Sequence, residues 1–94
     1  MEIKKDELLE DLKLGSYLLL FNSIGDNYYF VNFNTTSELR RFIQKKGILN
    51  LYNEWLDFIC SDYIAEEVEG YIIGKVISLE ENRYKIEIIE EKGY

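Results

Sequence analysis

The chain has 94 residues, of which 47% are hydrophobic and 15% aromatic. That length allows one domain, residues 1–94, whose core is rich enough to close without a disulfide or a metal. Its 18 acidic and 11 basic residues give a net charge of −7, which disfavours nonspecific attraction to nucleic acid or anionic lipid and favours a basic partner. The absence of His and the single Cys exclude a structural zinc site and an intramolecular disulfide.

The N-terminal residues are dense in Asp, Glu and Lys, which is not the pattern of a secretory signal. The longest apolar run, residues 17–21, is far too short to span a membrane. A single Cys indicates a reducing compartment or an inert thiol. We therefore expect a cytoplasmic protein that does not act at a membrane and holds no cofactor or metal.

Residues 1–14 are predicted to form a short amphipathic helix. Its apolar face would consist of Leu8, Leu9 and Leu12. Gly15 would end it in a left-handed conformation. Because a helix this short is not stable alone, the three leucines should pack against the rest of the fold.

Residues 17–22, with the sequence YLLLFN, are apolar on both alternating faces. This pattern is typical of an interior strand that is covered on both sides. Residues 23–27 supply Gly, Asp and Asn for a tight turn, and residues 28–33 are predicted to be the second strand of an antiparallel hairpin.

Residues 34–47 are predicted to form a helix with a defined start and end. Thr35 and Glu38 fit a capping box, in which each side chain accepts a hydrogen bond from the backbone of the other residue. Gly47 would end the helix. The predicted buried stripe consists of Leu39, Phe42 and Ile43.

Residues 48–60 are predicted to form a further helix with an unusually wide apolar face. That face would consist of Ile48, Leu51, Tyr52, Trp55, Leu56 and Ile59. The solvated face would consist of Asn50, Asn53, Glu54 and Asp57. The helical pattern fails near Asp62, so we expect a break at Ser61 or Asp62 and then a short helix to about residue 69.

Residues 71–79 and 84–89 are rich in β-branched and aromatic side chains and predict a C-terminal hairpin. Residues 80–82 resemble a three-residue loop with Asn82 left-handed. Gly74 indicates a bulge or a close approach of another backbone. A frayed tail is expected after the hairpin.

The predicted element order is therefore α-β-β-α-α-β-β. It implies an α+β domain with a four-stranded antiparallel sheet, built of two hairpins, and helices packed mainly on one face. The sequence contains no internal repeat, linker or low-complexity segment that would divide it.

Catalysis is not expected from this sequence. Cys60 has no His to act as its base and is expected to be a buried or half-buried structural thiol. Carboxylate pairs are numerous, but only because acidic residues are abundant, so solvated helix faces explain them. A cation site built from Asp62, Glu66 and Glu69 lacks the spacing of an EF-hand loop. We predict that the protein is not an enzyme.

The helix at residues 34–47 carries a basic cluster. Its members are Arg40, Arg41, Lys45 and Lys46. Four bases provide few phosphate contacts, and the carboxylates elsewhere in the chain repel the same nucleic-acid backbone. A solvated face, partly neutralised by the neighbouring acidic helix, explains the cluster, so we do not predict direct binding of nucleic acid.

The stretch between Lys46 and Lys75 contains six acidic residues and no basic one. Such a field steers a basic partner, and adjacent aromatic side chains supply contact area. The eight Tyr exceed what a small core needs, because each buried hydroxyl requires a partner, so some should lie at the surface. The predicted partner-binding residues are Glu54, Asp57, Asp62, Tyr63, Glu66 and Glu67.

These observations predict a noncatalytic protein-binding module that blocks a basic nucleic-acid-binding enzyme, such as a nuclease, by electrostatic mimicry. In size, charge and α+β character the chain resembles antitoxins and the small acidic inhibitors, including anti-CRISPR proteins, that phages and mobile elements direct against host enzymes. The resemblance is one of kind and rests on no motif. The alternative is a structural or regulatory homodimer that uses the apolar face of residues 48–60 or a sheet edge.

Overall fold

The computed structural model describes residues 1–8, 10–22, 27–58, 60–68 and 70–93. The elements in chain order are β1 (Glu2–Lys4), a 3-10 turn (Lys5–Glu7), β2 (Tyr17–Asn22), β3 (Asn27–Phe33), α1 (Thr36–Lys46), α2 (Ile48–Phe58), β4 (Tyr71–Glu80) and β5 (Arg83–Lys92). Four features of the sequence analysis lie outside the described residues: Leu9, the turn at residues 23–26, Ile59 and Glu69.

The five strands form one antiparallel sheet in the order β1-β5-β4-β2-β3, so the protein is a small α+β domain. Both predicted hairpins are present, as β2 with β3 and β4 with β5. The prediction of four strands was one too few, because β1 stands where a helix was expected.

Strand β2 lies between β4 and β3 and has one apolar core on each face. Leu19 and Phe21 belong to the core that the two helices cover, which we call the helix face. Leu18 and Leu20 belong to the core on the opposite side, which we call the N-terminal face. All four side chains are buried, so the prediction of an interior strand covered on both sides is confirmed.

Helix α1 begins and ends where the sequence indicated. The N–H of Glu38 donates to Thr35 Oγ1 at 3.0 Å. The Glu38 carboxylate accepts from the N–H of Asn34 at 3.0 Å, one residue earlier than in a standard capping box. Gly47 ends the helix with a φ of +84°, a conformation that residues with a side chain rarely adopt. The predicted stripe packs on the helix face: Leu39, Phe42 and Ile43.

Helix α2 covers the helix face with aromatic and aliphatic side chains. The rings of Tyr52 and Trp55 stack with centroids 5.2 Å apart, and both contact the ring of Phe21. Leu51 and Leu56 are buried in the same core. The described residues at the centre of the apolar face of α2 therefore pack inside the chain, whereas Ile59 of that face lies outside the described residues. Neither described helix is long and apolar enough to cross a membrane.

The described residues of the segment 1–14 do not form the predicted helix. Strand β1 pairs with β5, which places Ile3 opposite Tyr84. After the 3-10 turn the chain is irregular, and Leu8 and Leu12 pack on the N-terminal face beside Ile3. Pairing with β5 and burial of these side chains outweigh the intrinsic preference of a short helix, which is marginal on its own.

The irregular segment is held by the side chain of Asn32 in β3. Asn32 Oδ1 accepts from the N–H of Lys13 at 2.8 Å, and Nδ2 donates to the C=O of Asp11 at 3.0 Å. Asn32 itself has a φ of +64° and lies at the bulge where the register of β2 and β3 shifts. The amide thus satisfies backbone groups that a helix would have paired internally.

The turn between β4 and β5 is shorter than predicted. Glu80 pairs with Arg83, so the loop contains only Glu81 and Asn82. Both loop residues are left-handed, with φ values of +50° and +65°, as in the two-residue turns that match the twist of a hairpin. The left-handed Asn82 is confirmed. The frayed tail predicted for residues 90–94 is wrong for residues 90–92, because β5 continues to Lys92, and Tyr94 lies outside the described residues.

Gly74 lies at an irregularity in the β4–β5 pairing, where the register shifts between Ile73 and Gly74. A Cβ at this position would overlap Cγ2 of Ile86 on the neighbouring strand. The predicted irregularity is therefore present at this glycine, and the close neighbour is a side chain and not the backbone that was predicted.

Candidate protein-binding site

Helix α2 ends at Phe58, and the break that the sequence indicated follows directly. The N–H of Cys60 donates to the C=O of Asp57 at 3.1 Å, and the N–H of Ser61 donates to the C=O of Leu56 at 3.0 Å. This is the Schellman pattern of helix ends, and Cys60 occupies its left-handed position with a φ of +56°. The expectation of a buried or half-buried Cys60 was wrong, because this residue is exposed at the helix end.

Residues 61–68 do not form the predicted second helix. Asn53 Oδ1 accepts from the N–H of Ala65 at 2.9 Å, and Asn53 Nδ2 donates to the C=O of the same residue at 3.5 Å. Ala65 is buried, and Val68 packs against the same core. A helix through Ala65 would need these two backbone groups for its own hydrogen bonds, so the contact with Asn53 and the helix exclude each other.

The role of Asn53 was missed, because the helical pattern placed it on a solvated face. A signal was present, since Asn is unfavourable inside a helix and its amide tends to bind backbone groups. Asn50 shows the local form of that tendency, with Nδ2 donating to the C=O of Lys46, the last residue of α1, four positions earlier. Asn53 instead binds backbone twelve residues later, which local reasoning does not reveal.

The segment held by Asn53 presents apolar side chains to solvent. Tyr63 is 57% exposed and Ile64 is 78% exposed, and Phe58 at the end of α2 is also exposed. Tyr63 and Ile64 line an open depression of about 460 Å³ together with Glu66 and Glu67. Apolar contact area and carboxylates are thus combined at one place on the surface.

The carboxylates of this region have little internal compensation. Glu54 pairs with Lys46 at 3.9 Å, but both side chains are about half exposed and such a pair contributes little to stability. Four others form no ion pair with any residue that the structure describes: Asp57, Asp62, Glu66 and Glu67. A cationic partner would therefore not have to displace an existing salt bridge from them.

The predicted site residues are only partly brought together. Tyr63, Glu66 and Glu67 share the depression, whereas Glu54 and Asp57 lie on α2 and Asp62 lies between the helix end and Tyr63. Ile64 was not predicted, although it is the most exposed of the large hydrophobic residues that the structure describes. We use the name acidic patch for the following set: Glu54, Asp57, Asp62, Tyr63, Ile64, Glu66 and Glu67.

The basic cluster on α1 is divided between different partners. Arg40 Nη2 lies 2.7 Å from Glu90 Oε2 in β5, and Glu90 Oε1 accepts from the hydroxyl of Tyr71 at 3.3 Å. Burial, and then the negative charge of Glu90, raise the pKa of Tyr71. Lys46 contacts Glu54 of α2, as expected from a neighbouring acidic helix. Within the basic cluster, Arg41 and Lys45 form no ion pair with any residue that the structure describes.

Among the described residues there is no group of three or more Cys, Asp or Glu side chains with the geometry of a metal site. The cation site that the sequence disfavoured, built from Asp62, Glu66 and Glu69, includes a residue outside the described ranges, Glu69. Comparison with known proteins finds no matching family model, no matching curated protein and no matching solved structure. The function must therefore be inferred from the surface itself.

Proposed function

We propose that the protein is a noncatalytic inhibitor that uses the acidic patch to block a basic, nucleic-acid-binding enzyme. The observation that carries this proposal is the pairing of two highly exposed apolar residues, Tyr63 and Ile64, with Glu66 and Glu67 in one open depression. A residue 78% exposed does not contribute to the core, so Ile64 is better explained by contact with another molecule.

The apolar and the charged residues of the acidic patch would have different roles in binding. Aromatic and aliphatic anchors supply most of the binding energy when they are desolvated, and charges around them set orientation and association rate. Tyr63 and Ile64 would be the anchors, and Asp57, Asp62 and the two glutamates would face Lys or Arg side chains of the partner.

The expected partner surface is one that evolved to bind phosphates. Such grooves are lined with Lys and Arg, and carboxylates that occupy them exclude the nucleic acid without any chemical step. The net charge of −7 adds long-range attraction for a partner of that kind. The hydrogen bonds between Asn53 and Ala65 already restrain residues 61–68, so this segment would lose less conformational entropy on binding a partner.

The experiment begins with tagged protein used to isolate its partner from cells of the source organism. The triple variant Glu54→Lys, Asp57→Lys, Glu66→Lys is then compared with wild type for affinity to the purified partner. We expect a loss of at least about 100-fold, since opposed charges become like charges at three positions. The partner should be basic, and wild-type protein should prevent it from binding nucleic acid.

A matched control carries the same change of net charge away from the acidic patch. The variant Asp6→Lys, Glu10→Lys, Glu81→Lys alters three exposed carboxylates and should keep affinity within about threefold of wild type. Equal losses in both triple variants would mean that net charge, and not this surface, drives binding. Unchanged affinity in the first variant would assign the interface to another part of the protein.

A further inference from the structure

The outer edge of β5 is open along its C-terminal part. β1 pairs only with residues Arg83, Tyr84 and Lys85. Met1 then closes the contact, since its N-terminal amine donates to the C=O of Ile86 at 3.3 Å and its C=O accepts from the N–H of Ile86 at 2.8 Å. From residue 87 to Lys92 no described segment pairs with this edge, although the inner edge remains paired with β4.

The bulge in β5 decides which backbone groups face outward. The backbone N–H and C=O of Ile86 both bond to Met1, on the side of β5 away from β4, which we call outward. Backbone groups of an antiparallel strand alternate in direction from one residue to the next, so the N–H and C=O of Ile88 also point outward. β4 has one residue fewer than β5 between the pairs Gly74↔Ile88 and Ile73↔Glu90, which makes Ile89 the extra residue. An extra residue shifts the alternation by one, so Glu91 is the next to face outward.

The side chains at this edge are also available. Ile88 is 43% exposed and Ile89 is 44% exposed. Glu87 and Lys92 form no ion pair with any residue in the described ranges, and both lie on the face that carries the helices. Glu90 differs, because Arg40 and Tyr71 already hold its carboxylate.

We propose that this edge binds the same edge of a second copy of the chain, in an antiparallel two-fold pair that extends the sheet to ten strands. When Ile88 of one copy lies opposite Glu91 of the other, the N–H of each residue donates to the C=O of the residue opposite. The same register places Glu87 of each copy opposite Lys92 of the other, and two-fold symmetry forms this ion pair twice.

The bulge is what makes the register self-complementary. In a regular strand, outward-facing residues are separated by an even number, so a two-fold pair places one residue opposite itself. Ile88 and Glu91 are three positions apart, so no residue lies opposite its own copy. The negative Glu87 of each chain then lies opposite the positive Lys92 of the other. The interface is small, so the dimer should be weak and dependent on concentration. This dimer proposal does not rest on the proposed function, because the acidic patch includes no residue of β5.

The test is a reciprocal charge exchange, read by sedimentation equilibrium up to millimolar protein. Glu87→Lys opposes two lysines at each symmetric position, and Lys92→Glu opposes two glutamates. Each single variant should weaken the dimer by about tenfold or more. The double variant Glu87→Lys, Lys92→Glu restores both pairs and should return the dissociation constant to within about threefold of wild type.

Two controls keep the result specific. Glu81→Lys and Lys13→Glu make the same charge changes at exposed positions away from the edge and should leave the dimer unchanged. Glu87 lies opposite Lys75 in β4, so Glu87→Lys also brings two lysines together within one chain, and Lys92→Glu is the cleaner single variant. Urea unfolding of dilute monomer separates that effect from dimerisation.

Amide hydrogen exchange locates the contact. Protection at Ile88 and Glu91 should rise with protein concentration in wild type and in the double variant. A monomer at every concentration would overturn the proposal, as would a dimer that the single variants leave intact. Concentration-dependent protection along β3 instead would place the contact on the opposite edge of the sheet and would equally overturn it.

Discussion

The side-chain amide of Asn53 brackets the backbone of Ala65, accepting from its N–H at 2.9 Å and donating to its C=O at 3.5 Å. Asn32 holds residues 11–13 through the same two atoms, Oδ1 and Nδ2. In both places an amide replaces the hydrogen bonds that regular structure would supply, and an irregular segment acquires a fixed path.

Replacing Asn53 by Ala should therefore destabilise the protein by about 1–3 kcal/mol, because two backbone groups of a buried residue lose their partners. Urea unfolding gives the total effect, and hydrogen exchange at the Ala65 amide shows whether the segment opens locally. Asn50→Ala is the matched control, since it removes an exposed contact between residues only four apart, at the junction of α1 and α2, and should change stability by less than about 1 kcal/mol. Equal effects of the two substitutions would contradict the role assigned to Asn53.

How much of the fold was readable from the sequence depends on how local its determinants are. The cap of Thr35 and the end at Gly47 involve neighbouring residues, and both were predicted. The two-sided burial of β2 was also predicted, because its own run of apolar residues signals it even though the side chains that cover it are distant in sequence. β1 was not, because the partner of Ile3 is Tyr84 at the other end of the chain. No periodicity within residues 1–14 reports such a long-range pairing, and the leucine spacing there fits a helix equally well.

The acidic patch likewise has some features that the local sequence predicts and others that depend on long-range contacts. Composition alone locates the acidic residues between Lys46 and Lys75, and aromatic content suggests that some Tyr is exposed. The conformation of residues 61–68 depends on the contact between Asn53 and Ala65 and on a left-handed Cys60. Both are tertiary or strained features that helix propensity does not encode, and the exposed Ile64 was therefore missed.

Cys60 occupies a left-handed position that favours glycine. Its φ of +56° places the Cβ close to the following carbonyl, which disfavours any residue with a side chain. Cys60→Gly should stabilise the protein by about 0.5–1 kcal/mol, the relief of strain being partly offset by the greater entropy of the unfolded chain. The readout is the urea midpoint. Cys60→Ala keeps the Cβ and should show no gain, and an equal gain in both variants would point to loss of the thiol instead.

Trp55 combines extensive packing with an unsatisfied polar group. It is 1% exposed and stacks on Tyr52, and its Nε1 has no hydrogen-bond partner among the described residues. Trp55→Ala should lower the free energy of unfolding by about 3–5 kcal/mol. Trp55→Phe should lower it by only about 1–2 kcal/mol, because the smaller ring also removes a buried N–H that costs about 1–3 kcal/mol. Urea unfolding measures both, and a loss below about 1 kcal/mol for Trp55→Ala would contradict its place in the core.

The contact between Tyr71 and Glu90 predicts how stability falls at alkaline pH. Burial and the Glu90 carboxylate raise the pKa of Tyr71 in the folded protein above its ordinary value of 10.0. The folded state then retains a proton that the unfolded state has lost. The contribution of Tyr71 is therefore fully present below pH 10 and is lost as pH rises through the higher folded pKa.

Unfolding free energies measured from pH 8 upward should decline more steeply in wild type than in Tyr71→Phe. Lys85 also loses stabilisation in this range, because its hydrogen bond and attraction to Glu80 raise its pKa. The loss from Lys85 occurs in wild type and in Tyr71→Phe alike. The difference between their unfolding free energies at each pH therefore reports Tyr71 alone. In a Glu90→Gln background the difference between Tyr and Phe should shrink, because the negative charge and the charged acceptor are gone while burial remains. An undiminished difference would assign the alkaline decline to burial alone and would remove Glu90 from the explanation.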